Sequence, residues 1–176
     1  MLENEPLSLR QATAKDVGPM VALINRAYRG DSSRVGWTTE ADLLTGDRIT
    51  QEEASALISK ADTVVLLALD GANIIGTVEL QQRGEEAYLG MLVIDPQLQA
   101  RGLGKQLLAA AEQFVLVRWQ SKSISLSVIG EREPLIAYYE RRGYMRTGEL
   151  QRLPSQLGQS KPIVEGLSFE TMRKSL

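Results

Sequence analysis

Apolar positions change period several times along the chain, and each change predicts an element. "LSLRQA" (7–12) alternates as a short strand does. From Asp16 to Tyr28, the residues Val17, Met20, Val21, Ile24 and Tyr28 fall at helical spacing, with Asp16 placed to cap. The polar, glycine-bearing stretch "RGDSSRVGWTTEADLLTGDRIT" (29–50) is expected to be partly helical after Thr38 or Thr39 and partly loop. "TQEEASALISKA" (50–61) predicts a second helix, with Thr50 as N-cap and Glu53 closing a capping box. Strand-like runs follow: "DTVVLLALD" (62–70), "IIGTVELQQ" (74–82) and "AYLGMLVID" (87–95). The turn signals "DGAN" and "RGEEA" separate them and Pro96 ends the last, which predicts an antiparallel meander. Beyond it, Leu103, Leu107, Leu108, Ala111, Phe114 and Val115 trace an amphipathic helix, and "KSISLSVIG" (122–130) reads as a strand. "EPLIAYYERRG" (133–143) is a short helix with Gly143 as C-cap, and "YMRTGEL" (144–150) and "GLSFETMRKSL" (166–176) are final strands. The order β-α-α-β-β-β-α-β-α-β-β predicts an α/β (α+β) fold: a mixed, mostly antiparallel sheet of about six to seven strands flanked by about four helices. Neither a linker nor an internal repeat interrupts it, so residues 1–176 are expected to form one domain.

Composition narrows the chemistry. Among 176 residues there is no cysteine and no histidine, which removes disulfides, thiolate nucleophiles, Ser-His-Asp triads and nearly all zinc sites. Acid–base work must therefore come from carboxylates, tyrosines, lysines or ordered water. The net charge of −2 argues against a nucleic-acid or anionic-membrane surface. The apolar runs are shorter than the ~18 residues of a membrane span, and the start lacks a basic-then-apolar leader. A cytoplasmic location is expected.

"IDPQLQARGLGKQLL" (94–108) carries the candidate chemistry, because glycines immediately before a helix suit a bound phosphate. A Walker A loop fails here: Gln99 stands where its first glycine belongs, and Gln106 replaces the magnesium-binding hydroxyl. A dinucleotide fingerprint fails too, since Leu107 takes the third glycine's place and a meander precedes the loop. The hexapeptide Gln99-Ala100-Arg101-Gly102-Leu103-Gly104 instead has the form Gln/Arg-x-x-Gly-x-Gly/Ala between an apolar strand and an amphipathic helix. It resembles the acetyl-coenzyme-A loop of the GNAT superfamily of N-acetyltransferases. "YLGMLVIDPQLQARGLGKQLL" resembles that family's fourth strand, Asp-Pro break and third helix, and "LIAYYERRGYMRTGEL" downstream resembles its second block.

The resemblance implies acetyl-CoA as cosubstrate and direct acetyl transfer to a primary amine of a small molecule or peptide. Backbone amides from Ala100 to Lys105 would cradle the pyrophosphate, and the edge formed by Leu92, Val93 and Ile94 would pair with the pantetheine arm. Arg101 and Lys105 either add charge near the phosphates or are solvated. The tyrosine of the second block falls at Tyr139 and is implied to protonate the departing thiolate, with Tyr138 read as a packing neighbour. The sequence departs from the family in two places. Arg132 replaces an asparagine that holds the cofactor arm, and either contacts the cofactor differently or faces solvent; Ser127 replaces a base glutamate. Glu79 is then either the best-placed carboxylate for the amine's proton or only an exposed strand charge, with water as the alternative carrier. Asp31, Glu40, Asp42 and Asp47 beside Trp37 suggest either an acidic mouth for a cationic amine or a capped, plugged loop. The rival to an enzyme is a non-catalytic acyl-CoA sensor. Neither a nucleic acid nor a membrane is expected as partner, and a homodimer is left open.

Overall fold

The computed structural model describes residues 6–155 and 157–176. In chain order its elements are β1 (Ser8–Gln11), α1 (Val17–Tyr28), β2 (Leu44–Thr45), α2 (Gln51–Ser59), β3 (Thr63–Asp70), β4 (Asn73–Arg83), β5 (Glu86–Ile94), α3 (Leu103–Trp119), β6 (Ser123–Ile129), α4 (Glu133–Glu140), β7 (Met145–Arg152), β8 (Lys161–Pro162) and β9 (Ser168–Ser175). The central apolar runs pair as their short turns dictate, so β3, β4 and β5 form the predicted antiparallel meander. With β1 outside them and β6, β9 and β7 beyond, the sheet has seven strands in the order β1-β3-β4-β5-β6-β9-β7. The predicted fold class holds.

The join between the two halves of the sheet decides where a site can form. β5 and β6 run parallel and pair only from Glu86↔Ser123 to Leu89↔Leu126. Beyond Leu89 the strands part. On the other side of β5, the partners jump from Glu79↔Gly90 to Thr77↔Val93, so Val78 faces an extra residue and β5 carries a bulge. Met91 sits in it with φ of +43°, a left-handed conformation rare for a non-glycine residue. The bulge bends β5 away from β6 and leaves the edge from Gly90 to Ile94 open toward the second half.

Helices cover both faces. Leu103, Leu107, Leu108, Ala111 and Val115 of α3 pack with Ile136 of α4 on Val78, Leu80, Leu89 and Leu126. On the opposite face Met20, Leu23, Ile24 and Ala54 of α1 and α2 meet Val65, Leu67 and Val93. The Thr50–Glu53 capping box is made in both directions, at 3.1 and 2.8 Å. Gly143 terminates α4 with φ of +91°, as its C-cap placement requires.

Two local expectations are corrected. Asp16 does not cap α1 with its side chain; its carboxylate closes the preceding turn by accepting from the Thr13 amide at 2.8 Å and from Arg10. The helix expected after Thr38 or Thr39 is absent, and a short 3-10 helix lies earlier, at Asp31–Val35. Downstream, Leu44 and Thr45 pair with Lys161 and Pro162 in a small second sheet, which lays the α1–α2 connection across the C-terminal half. That tertiary pairing overrode local propensity. No helix among the described residues is long and apolar enough to cross a membrane.

Candidate active site

The loop after β5 is shaped by its glycines and by one alanine. Ala100 and Gly102 both have positive φ, +65° and +75°, so the chain coils tightly before α3. The first backbone bond of α3 runs from the Gln106 amide to the Gly102 carbonyl, which leaves the amides of Leu103, Gly104 and Lys105 ahead of the ladder. A Cβ on Gly104 would stand 3.2 Å from the Tyr138 hydroxyl, so a larger side chain here would crowd the cradle. Loop, open edge of β5 and α4 together enclose a cavity of about 290 Å³ lined by Leu92, Ile94, Gly104, Lys105, Tyr138 and Tyr139 among others. Free amides at a helix N-terminus beside a mostly apolar slot fit a pyrophosphate with a long, uncharged arm.

A second cavity of about 330 Å³ lies across the same strand edge. It is lined by Arg29, Arg48, Gly90, Ser127 and Phe169, and it shares Tyr28, Leu92, Arg132, Leu135 and Tyr139 with the first. A group held at Leu92 can therefore be approached from both sides.

Tyr139 stands at that junction, 5% exposed, with its ring edge-on to Tyr138 and Tyr144 at 5.4 and 5.5 Å. Burial, reinforced by neighbouring tyrosines, pushes its phenol far above the ordinary value, so it is fully protonated at neutral pH. Glu79 pairs across the strands with Gly90, and its Oε2 lies 3.1 Å from where a Gly90 Cβ would be. Burial raises the Glu79 pKa, opposed by Arg48, Lys60 and Arg83. Its carboxylate lies beside Gly90, on the face to which a Gly90 side chain would point, next to the residues that line the second cavity.

The other expected residues fall as follows. Val93 and Leu103 turn their side chains into the core and offer only backbone, while Arg101 is exposed. Gln99 is a brace: its Oε1 accepts from the Trp37 amide at 2.9 Å, and its Nε2 donates to Thr38 Oγ1 and the Ile94 carbonyl at 2.9 and 3.1 Å. Arg132 does not face solvent; it binds Glu40 at 3.0 Å and the Thr38 carbonyl at 2.6 Å, on the wall common to both cavities.

Two readings of the sequence are overturned. Glu40 is no part of an acidic mouth, because it is buried and its two oxygens are held by Arg29 and Arg132. Asp31 and Asp42 pair with Arg34, at 3.3 and 2.6 Å. Tyr138 is more than packing: its ring meets that of Trp37 at a tilt with centroids 5.2 Å apart, carries the Arg142 guanidinium 3.4 Å above it, and walls the first cavity. Tyr28, expected only as part of the apolar stripe of α1, also belongs to the site. It ends α1 in helical register like a core residue, yet its hydroxyl donates to the Leu92 carbonyl at 3.2 Å on the open edge. Burial pushes its pKa up to about 12.

With this geometry established, comparisons with known proteins agree on one family. A sequence profile described as the acetyltransferase (GNAT) family matches residues 23–144. Mycothiol acetyltransferases from Clavibacter sepedonicus and Clavibacter michiganensis subsp. michiganensis are 31% identical over 138 and 139 residues, 78% of this chain. The chain spans 42% of the length of these relatives. Among solved structures, the ribosomal-protein-S18-alanine N-acetyltransferase of Escherichia coli superposes with a TM-score of 0.70 at 14% identity, covering 96% of this chain and 93% of that one. The PaiA N-acetyltransferase of Thermoplasma acidophilum, in complex with coenzyme A, gives 0.68 at 17% identity, with 98% and 100% covered. The spermidine/spermine N-acetyltransferase SpeG of Vibrio cholerae gives 0.69 at 18%, with 98% and 94% covered. These structures share the fold.

Proposed function

The chain belongs to the acetyltransferase (GNAT) family, whose members use acetyl-CoA, and from that premise we propose that these residues act as one domain transferring acetyl directly to a primary amine. One observation carries the reading: two cavities meet at Leu92 and Tyr139, one suited to the donor's phosphates and arm, the other open for an acceptor.

In this reading the amides from Ala100 to Lys105 hold the pyrophosphate, and the β5 edge at Leu92 and Ile94 pairs with the arm. The bound thioester supplies the acetyl group: the amine nitrogen bonds the acyl carbon, the carbon–sulfur bond breaks, and the electron pair leaves on sulfur. Tyr139 holds the proton that the sulfur takes, and its buried phenol keeps that proton at neutral pH. The amine's proton passes by water around Gly90 to Glu79, whose partly desolvated carboxylate is a stronger base than an exposed one. Without a cysteine, a covalent acyl relay through sulfur is unavailable.

The test has two stages. Acetyl-CoA should stabilise the protein, by about 2.7 kcal/mol at ~100 times its Kd, and Gly104→Glu should abolish the shift. An amine screen read by free thiol release should then find an acceptor, and with it Tyr139→Phe should lower kcat by about 10²–10⁴-fold while acetyl-CoA affinity holds. Binding without turnover on any amine would leave a sensor; stabilisation by ATP and not by acetyl-CoA would remove the donor assignment.

A further inference from the structure

We propose that the second cavity receives an amine that also carries a carboxylate, and that Arg48 is the residue that docks this anion. The proposal rests on the acetyl-transfer reading and names the acceptor class for the same site.

The charges lining the cavity set its character. Three arginines, Arg29, Arg48 and Arg132, face a single carboxylate, Glu40. Glu40 is already shared, one oxygen held by Arg29 and the other by Arg132 at 3.0 Å. The wall thus keeps an excess of two positive charges, and one remains even when Glu79, which lies beside Gly90 and within range of Arg48, is ionised. Arg29 also keeps its Nε buried without a hydrogen-bond partner.

Arg48 is the one of the three without a direct ion pair, and the carboxylate acting on it from nearby is Glu79. Among the described residues its guanidinium makes no ion pair or hydrogen bond, and it is held over the Tyr28 ring at 5.7 Å. The connection that carries it is fixed, because the Asn25 side chain accepts from the Arg48 amide at 2.7 Å and from the Ile49 amide at 3.1 Å. A half-buried guanidinium offers a carboxylate two parallel donors, in surroundings that screen less than open water. A polyamine entering here would bring further positive charge against an unneutralised arginine. The chemistry therefore separates this cavity from what a spermidine acceptor needs, although SpeG shares the fold.

The experiment uses the full chain and two probes that share one amine: alanylalanine, and the same dipeptide with its C-terminus amidated. Calorimetry on the coenzyme-A-saturated protein should show the carboxylate form binding about 10–100-fold more tightly, as a charged hydrogen-bonded pair provides. Spermidine should bind more weakly than either. With acetyl-CoA, the same preference should appear in KM by thiol release. Arg48→Gln should erase the preference and Arg48→Lys should restore part of it, with the acetyl-CoA thermal shift retained as the check on folding. Equal binding of the two dipeptides, no binding of either, tighter binding of spermidine or of phosphoethanolamine, or a preference that survives Arg48→Gln would each overturn the proposal. A missing acetyl-CoA shift in the parent protein would instead sink the acetyl-transfer reading on which it rests.

Discussion

Replacing Glu40 with glutamine keeps the side-chain shape and removes the one anion that two arginines share. The side chains of Arg29, Glu40 and Arg132 are 6%, 10% and 10% exposed, so none can turn to bulk water when its partner goes. Breaking a buried pair from one side costs about 3–5 kcal/mol, because the surviving charge stays desolvated. The loss will not double for two arginines, since groups in one network do not add. Arg132 also lines both cavities and Ser160 still supports Arg29 at 2.9 Å, which places the cost near the lower end, about 3 kcal/mol. For a chain of this size that is a fall in Tm of roughly 6–12 °C. Urea unfolding should move its midpoint and leave its slope unchanged. Asp42→Asn is the control: that carboxylate is 72% exposed beside Arg34, and an exposed pair is worth about 0–1 kcal/mol. Salt at about 0.5 M should erase the small Asp42 effect and leave the Glu40 effect standing. A Glu40→Gln protein within about 1 kcal/mol of the parent, or one rescued by salt, would refute a buried, shared carboxylate and revive the acidic mouth.

Other perturbations test the rest of the site. Because burial raises the Glu79 pKa, the acid limb of kcat/KM should lie above the usual glutamate value, and Glu79→Gln should remove that limb; an unchanged profile would leave the proton to water alone. Tyr28→Phe strips the donor from the Leu92 carbonyl, which should destabilise the free protein by about 1–3 kcal/mol and the acetyl-CoA complex by less, so the ligand-induced rise in Tm should grow. An unaltered or smaller rise would mean that the arm does not pair at Leu92. The hydrogen bonds from Arg10 hold the Asp16 carboxyl below its ordinary range, so its stabilisation is present above about pH 4 and is lost as pH falls further. Asp16→Asn should therefore be less stable at neutral pH, with the gap to the parent closing in acid-unfolding curves; a gap independent of pH would contradict the depressed pKa.

The elements with strong period were legible in the sequence, and so was the glycine loop that opens α3. Val17, Met20 and Ile24, the capping box of α2 and the three apolar runs bounded by turn signals predict what forms, because each is local and agrees with its burial. The α1–α2 connection was not legible. Its acidic residues read as either a mouth or a capped loop because nothing in linear order says that Arg29 and Arg132, separated by about a hundred residues, converge on Glu40. Tyr28 hid in plain helical register, and a polar head at the end of an apolar stripe gives no sign of where its hydroxyl reaches. Arg48 belongs to no motif in the sequence; its significance lies in making no ion pair among the described residues, which is a property of the assembled cavity.

The bulge in β5 was invisible for a sharper reason, and the site depends on it. "AYLGMLVID" is apolar at nearly every position, so a change in alternation leaves no trace. In the fold, Ala87 and Leu89 face the α3 core, and an unbroken strand would next send Met91 and Val93 there. Instead Leu92 and Ile94 face that core, while Met91 and Val93 pack against α1 and α2. One extra residue reversed the faces, as a one-residue slip must. The same residue bends β5 away from β6, and the edge it opens has carbonyls that would otherwise have found a strand. Those carbonyls are held by side chains from elsewhere, Leu92 by the Tyr28 hydroxyl and Ile94 by the Gln99 amide. Side-chain donors can yield to a ligand's amides without dismantling the sheet, which a neighbouring strand could not do. An edge kept satisfied but exchangeable, with cavities on both sides of Leu92, is what the proposed reading needs for an extended donor along β5 and an amine from across it.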